Sequence, residues 1–392
     1  MEKFQKEFIG LIQAAFTDKT IDVSSDFNWK KAVGLAKMHN IASILYYGAV
    51  NCKIPKDSNY MQELDYLTLQ SIMTNTRQLY EIEQIESVFE KESIDYMPLK
   101  GSILKALYPK SEMRTMGDAD ILIKLDQYPK IEKIMTELGF VFQFESDHEL
   151  VWEKKPFLFL ELHKRIMTSY NKDFYGYFGD GWKIANNVEG SCRYEMSPED
   201  FYIYIFVHFT KHYRISGIGI KHLLDLWVYS NARPNLDFIY IENELKKMDL
   251  GKFHENVKNV INVWFNGGIE TEITDLITNV IFNSGQYGSE DMAMINRALQ
   301  NGNDSAIKVK LARLFGGIFL PYSTMKEKYD ILKKIPILLP VMWVVRCFDV
   351  LFRQKLRLKN YMKKLNQIDS KAFKENERAL KVVGLDFDFE EE

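Results

Sequence analysis

The chain has 392 residues, of which 46% are hydrophobic, 14% aromatic and 27% charged, enough apolar material for a large core and too much for a disordered chain. Lysine plus arginine total 51 against 54 acids, a net charge of -3, so no summed field draws the chain to nucleic acid or anionic lipid. The three cysteines, Cys52, Cys192 and Cys347, lie far apart, which excludes a disulfide framework and a Cys-x-x-Cys zinc site and points to a reducing, cytoplasmic location.

The opening Met-Glu-Lys-Phe-Gln-Lys-Glu carries no apolar signal block, which predicts no secretion. The spacing of Phe4, Phe8, Leu11, Ile12 and Ala15 predicts an amphipathic helix, and a similar pattern continues from Trp29 to Val50. A longer helix is expected from about Tyr60 to Glu92, with Leu69, Ile72, Met73, Thr76, Leu79 and Ile82 on one side. These segments define an expected helical subdomain, residues 1–92.

The pattern then changes. Asp95 to Leu99 reads as a short strand, Lys100-Gly101-Ser102 as a turn into a helix reaching Leu107, and the alternating run around Ala119, Ile121 and Ile123 as a strand. Gln127 to Leu138 reads as a helix ending at Gly139, followed by strands Phe140 to Glu145, Glu149 to Glu153 and Phe157 to His163. The expectation is an α+β core, residues 93–195, with a small mixed sheet and helices on one face.

An aromatic, glycine-rich loop is expected from Tyr170 to Trp182. Ser197-Pro198-Glu199-Asp200 then forms a helix N-terminus, with a cap, a proline at the first turn and two acids. Helical patterns follow at Phe201 to His212, Ile218 to Ser230, Tyr240 to Lys247, Val257 to Phe265 and Ser305 to Leu314, giving a mostly helical domain, residues 196–392. The most apolar stretch, Ile335 to Val345, is interrupted by two prolines and falls short of the roughly 20 residues of a membrane span. Arg353 to Lys364 holds six basic residues and no acid; it reads as a solvated helix face balanced by the acidic tail Asp386 to Glu392, or as a membrane-surface or RNA patch.

Neither Gly-x4-Gly-Lys-Ser/Thr nor Gly-x-Gly-x-x-Gly occurs, which removes the P-loop and dinucleotide-binding readings. Gly217-Ile218-Gly219 reads as a turn between helices. The informative segment runs from Met97 to Ile123. Asp118 and Asp120 are two apart in a strand and emerge on one face, and such a pair is costly unless a cation lies between the carboxylates. Hard oxygen ligands suit Mg²⁺ or Mn²⁺. Gly101 and Ser102 open a helix after a strand, where free N–H groups and a hydroxyl suit phosphate, and Lys100 and Arg114 add positive charge. Glu161 interrupts the apolar run Phe157 to His163, so it needs a metal, a hydrogen-bonded partner or a core salt bridge.

These residues resemble the polymerase-beta-like nucleotidyltransferase superfamily, whose signature is Gly-Ser, then Asp-x-Asp, then a third acid on a neighbouring strand. Leu99-Lys-Gly101, Tyr108-Pro109, Arg114, Asp118-Ala-Asp120 and Glu161-Leu-His163 look more closely like the bacterial uncharacterised nucleotidyltransferase family, with weaker similarity at His208 to His212, Lys221-x3-Asp225 and Leu338 to Arg346, spanning roughly Ser71 to Phe352. The resemblance implies transfer of a nucleoside monophosphate from an NTP to an acceptor with release of pyrophosphate. It implies two ions of Mg²⁺ or Mn²⁺ held by Asp118, Asp120 and Glu161, with Glu161 also able to take the acceptor proton. Gly101 and Ser102 would hold the β and γ phosphates, with Lys100 or Arg114 offsetting charge on the leaving group. Many superfamily members have aspartate where this chain has Glu161.

His208 and His212 share one helix face beside Lys211. They read as phosphate contacts, base contacts or hydrogen-bonded core residues, with zinc poorly supported for want of further ligands. Lys221 and Asp225 are expected to pair, or else Lys221, Lys211 or a histidine reaches the triphosphate. The expected partners are an NTP and a small-molecule or protein acceptor, with the charge balance arguing against nucleic acid. A nucleotide-binding regulator or antitoxin-like partner is the alternative, and retention of all three acids favours an enzyme.

Overall fold

Helix α1 (Lys3–Phe16) forms as its spacing predicts and buries Phe8, Leu11 and Ile12. Phe4 and Ala15 are only partly buried, while Gln5, Ile9, Gly10 and Ala14 are buried as well, a wider face than the expected stripe. The pattern from Trp29 to Val50 forms two helices, α2 (Trp29–Met38) and α3 (Ala42–Asn51), because Asn40 adopts φ 55° and a left-handed residue ends a right-handed helix. The long α4 (Asn59–Lys91) starts at Ser58, whose hydroxyl accepts from the Met61 amide. Its burial departs from the expected stripe: Leu69, Ile72, Met73 and Leu79 are exposed, while Thr68, Asn75, Gln78 and Glu81 are buried. Those polar groups have partners. Gln78 donates to the Met116 carbonyl, Lys154 pairs with Glu81, and Asn75 meets Lys105 and Ser111, so their burial leaves few bonds unmade. The computed structural model describes residues 1–156, 158–167, 172–286, 331–352 and 370–385, with isolated positions between 288 and 329.

The fold is α+β. Strands β1 (Tyr96–Pro98), β2 (Asp118–Ile123), β3 (Val141–Glu145), β4 (Glu149–Lys154) and β5 (Leu158–His163) form a mixed sheet in the order β1-β2-β5-β4-β3. β2 and β5 are parallel and every other neighbouring pair is antiparallel. Ala119, Ile121 and Ile123 of β2 and Leu158, Leu160 and Leu162 of β5 enter one core with Ile82, Ile85 and Phe89 of α4 and Ile131, Ile134 and Met135 of α6 (Tyr128–Glu137). Because side chains alternate across a strand, the intervening polar residues must occupy the opposite face. Between β1 and β2 lies the short α5 (Lys100–Lys105).

The segment expected as a loop after β5 contains α7 (Lys172–Phe178), anchored by fully buried Phe174 and Phe178. A two-stranded sheet, β6 (Ala185–Asn187) with β7 (Tyr194–Met196), precedes the helical half. There α8 (Pro198–Ser216) is capped by Ser197 as predicted, and Gly217 at φ 78° turns the chain into α9 (Ile220–Ala232). α10 (Phe238–Lys247), α11 (Gly251–Phe265) and α12 (Glu272–Ser284) follow, the last without a forecast from periodicity. The chain divides into two compact units, Met1–Ser289 with Val383–Glu392, and Glu290–Val382. The helix expected at Ser305 to Leu314, the basic segment Arg353 to Lys364 and the acidic tail Asp386 to Glu392 lie outside the described residues. No helix of the described residues is long and apolar enough to cross a membrane.

Close packing makes one fold prediction sharp. A Cβ at Gly48 would fall 1.8 Å from the Leu11 carbonyl oxygen, so Gly48→Ala is expected to destabilise by about 3 kcal/mol. Gly34 is exposed in α2 with nothing within 4 Å of an added Cβ, so Gly34→Ala is expected to stabilise by about 0.5–1 kcal/mol. Denaturant midpoints of the two variants check both directions.

Candidate functional site

The parallel pairing of β2 with β5 sets Asp120 opposite Glu161 and Leu122 opposite His163, while β4 sets Glu149 opposite His163. With Ala119, Ile121, Leu160 and Leu162 in the core, Asp118, Asp120, Glu161 and His163 face the other way. They and Glu149 line a cleft of about 260 Å³ whose further walls include Lys100 and Gly101 of α5 and residues of α8 and α9.

Asp120 is 2% exposed. Its Oδ1 accepts from Lys100 Nζ at 3.1 Å and from His163 Nε2 at 3.0 Å, and its buried Oδ2 meets no hydrogen-bond partner among the described residues. Burial pushes this carboxyl up, but Lys100 and His163 more than offset that and hold it well below the usual carboxylate range. Burial pushes Glu161 up to about 7, with Asp118, Asp120 and Glu149 adding to the rise and His163 opposing it. Burial disfavours the His163 cation, yet its bonds to Asp120 and Glu161 raise it to about 9. Lys100 likewise overcomes burial through Asp120 and Asp118 and stays charged.

The helical wall supplies Tyr204, His208, Lys211 and His212 from α8 and Lys221 and His222 from α9. His208 and His212 share a hydrogen bond, Nε2 to Nε2, of 3.1 Å. Burial, reinforced by the neighbouring lysines, holds His208 and His222 well below the ordinary imidazole range and His212 at about 3. All three rings are therefore neutral, and the positive charge of this wall comes from lysine. Among the described residues the group with donor atoms all within 4.8 Å of one another is Asp120, Glu161 and His163.

Three expectations change. Asp225 pairs with Arg114, not Lys221: Arg114 Nε and Nη2 donate to its two oxygens at 2.9 and 3.0 Å, and the Tyr108 hydroxyl donates at 2.8 Å. A planar guanidinium fork satisfies both carboxylate oxygens at once, which a lysine cannot do. Lys221 Nζ instead donates to the Thr115 carbonyl at 3.2 Å. Arg114 lines the cleft with its charge already met by Asp225, a poor arrangement for offsetting a leaving group. Ser102, expected on the cleft wall, lines a separate cavity with Glu86, Arg193 and Tyr229. Successive helical residues point about 100° apart, so Gly101 faces the cleft and Ser102 turns from it. A Cβ at Gly101 would sit 2.9 Å from Met116 Sδ, so a side chain there would displace the methionine.

Sequence reasoning overlooked His163, Glu149 and His222 as cleft residues. His163 carried a readable signal, lying two positions beyond Glu161 on the same strand face. Glu149 depends on the register of β4 against β5, and His222 on how α8 packs with α9. Behind Arg114, Lys105 is 1% exposed and hydrogen-bonded to Asn75. Burial, with Arg114 and Lys221 nearby, lowers its amine to about 7.

A family model described as an uncharacterised nucleotidyltransferase matches residues 25–266, more than half of the chain. That match begins before the span of the motif resemblance and ends short of it. No curated protein matches. Among solved structures, the solution structure of the antibiotic-resistance factor ANT(2'')-Ia is similar at 14% identity, covering 43% of this chain and 90% of that one, with a TM-score of 0.33.

The buried amines predict a pH dependence of stability. An unfolded Lys105 keeps its proton to about 10.5, whereas the buried amine releases it near 7, so the unfolded chain binds more protons across that window and stability rises with pH through it. Lys221, lowered to about 8 by burial and Arg114, acts in the same direction. His163, raised to about 9, keeps a proton that an unfolded imidazole has lost and so opposes the lysines over part of this window. The Lys105 contribution is therefore read as a difference: Lys105→Met is expected to make the change of melting temperature between pH 7 and 9 less positive than in the unaltered chain. A Lys105→Met profile as steep as that of the unaltered chain contradicts the assignment.

Proposed function

We propose that this chain, which belongs to the uncharacterised nucleotidyltransferase family, moves a nucleoside monophosphate from a metal-bound NTP to a small-molecule or protein acceptor and releases pyrophosphate. Nucleotidyl transfer comes with the family; the metal dependence, the acceptor class and descent from the polymerase-beta-like superfamily belong to the proposal. The observation that carries it is a cleft with carboxylates on the sheet and lysines on the helices, complementary to a cation bound to a polyphosphate.

The donor set fits a divalent ion: Asp118, Asp120 and Glu161 offer hard oxygens, and Asp120 Oδ2 is buried without a partner among the described residues. Those three residues would hold the two Mg²⁺ or Mn²⁺ ions, whose chemistry is to neutralise phosphate charge and acidify an acceptor hydroxyl. Lys100, Lys211 and Lys221 then attract the triphosphate, and neutral His208 and His212 hydrogen-bond to it without adding charge. Glu161, as an ionised carboxylate in the cleft, would take the proton of the acceptor hydroxyl. Gly101 lets α5 lie against Met116 and so brings Lys100 to Asp120. Arg114 acts through Asp225, fixing α9 as the facing wall, and Ser102 has no part in the cleft. The net charge of -3 supports a small-molecule or protein acceptor over nucleic acid.

Pyrophosphate release with each NTP against acceptor pools, with mass spectrometry for a product heavier by one nucleoside monophosphate, tests this reading. Asp118→Asn and Asp120→Asn are each expected to reduce release by about a thousandfold or more. Circular dichroism is expected to stay unchanged in Asp118→Asn, whereas Asp120→Asn removes the counter-charge of Lys100 and His163 and is expected to melt lower. Release at the unaltered rate in both variants contradicts the proposal.

A further inference from the structure

We propose that His163 is a direct nitrogen ligand of the divalent ion held by Asp120 and Glu161, giving a mixed nitrogen and oxygen site that favours a first-row transition ion such as Mn²⁺ over Mg²⁺. The inference rests on the metal reading above and goes beyond its three carboxylates.

The spacing is that of a coordination sphere. His163 Nε2 lies 3.0 Å from Asp120 Oδ1 and 3.6 Å from Glu161 Oε2. Two ligands in adjacent octahedral positions, each about 2.1 Å from the ion, are about 3.0 Å apart. One observed separation matches and the other exceeds it by a few tenths of an ångström, a movement within reach of the half-buried Glu161 side chain. No strand has to shift, because the β2 and β5 register already sets Asp120 and His163 on one face.

One buried atom points the same way. Asp120 Oδ2 meets no hydrogen-bond partner among the described residues, although the residue is 2% exposed. An unpaired carboxylate oxygen at that depth is costly, and a cation beside it removes the cost. Lys100 already supplies Asp120 with a hydrogen-bonded positive charge, so neutralising Asp120 does not by itself call for an imidazole. Ligation replaces the Nε2 proton by the ion and passes that proton to solvent, leaving the ring neutral with its hydrogen on Nδ1. Imidazole suits the later first-row ions, whereas Mg²⁺ is served by carboxylate, carbonyl and water, so a nitrogen donor lowers the site's preference for Mg²⁺; Mn²⁺, which shares the oxygen ligands of Mg²⁺ and is paramagnetic, is the first-row ion that probes this.

Pulsed electron paramagnetic resonance on the nucleotide-free full chain loaded with Mn²⁺ reads this directly. The expected result is ¹⁴N modulation from one coordinated imidazole, replaced by the ¹⁵N pattern after labelling with ¹⁵N-histidine and lost in His163→Gln. Calorimetry should show Mn²⁺ affinity falling about tenfold or more in that variant, with a smaller loss for Mg²⁺. The labelling arm needs no variant, so it stands even if His163→Gln fails to fold. Mn²⁺ bound in an all-oxygen shell, coupling that persists in a folded His163→Gln, or no Mn²⁺ binding overturns the inference. An all-oxygen site in a chain that still releases pyrophosphate defeats this inference alone; nitrogen-coupled Mn²⁺ in a chain that releases none supports it and defeats the proposed activity.

Discussion

Asp120 carries an ionised carboxylate at 2% exposure on a sheet face shared with Asp118, Glu161 and the nearby Glu149. A buried charge survives there only with opposite charge in hydrogen-bond reach. Lys100 and His163 provide it on a single oxygen, and much of the local architecture serves to bring them there. The Leu99 amide bonds to the Asp120 carbonyl at 2.9 Å, which fixes the start of α5 against β2. Gly101 allows the close approach at Met116, and the parallel β2 and β5 pairing delivers His163 from the other side. Asp120 is held charged while burial raises Glu161 to about 7, so two carboxyls on neighbouring strands have distinct protonation behaviour.

A second buried ion pair sets the opposing wall. Arg114, in the loop before β2, grips Asp225 of α9 through both oxygens, and Tyr108 adds a third bond. Removing one partner of such a pair strands the other charge in the interior. The latch therefore ties the loop that leads into the acidic strand to the helix that carries Lys221 and His222. Its cost falls on neighbours: burial, and then the Arg114 guanidinium beside them, make the Lys105 and Lys221 amines give up protons more readily.

What the sequence made legible is what depends on short periods. Asp118-Ala119-Asp120-Ile121 and Leu160-Glu161-Leu162-His163 display a polar face and an apolar face because strand alternation is local. Ser197-Pro198 marked the start of α8 because caps are local too. The site itself joins residues far apart in the chain, as Asp120 and His163 at 43 positions and Arg114 and Asp225 at 111 show. No spacing encodes such pairings, and the four-residue interval between Lys221 and Asp225 misled for that reason. α4 misled differently: its apolar stripe was real in sequence, but Asn75, Gln78 and Glu81 found partners in the core and took the buried side. The glycines between Tyr170 and Trp182 suggested a loop, whereas two phenylalanines had enough apolar surface to anchor a helix.

On the proposed function, the cleft holds a polyphosphate through a divalent ion on the acidic wall. Calorimetric affinity for a non-hydrolysable NTP analogue, in excess chelator and again in Mn²⁺ or Mg²⁺, tests it most directly. Because an unshielded triphosphate meets Asp118, Asp120, Glu161 and Glu149 with like charge, the account predicts affinity at least about a hundredfold weaker in chelator. Equal affinity under the two conditions contradicts it.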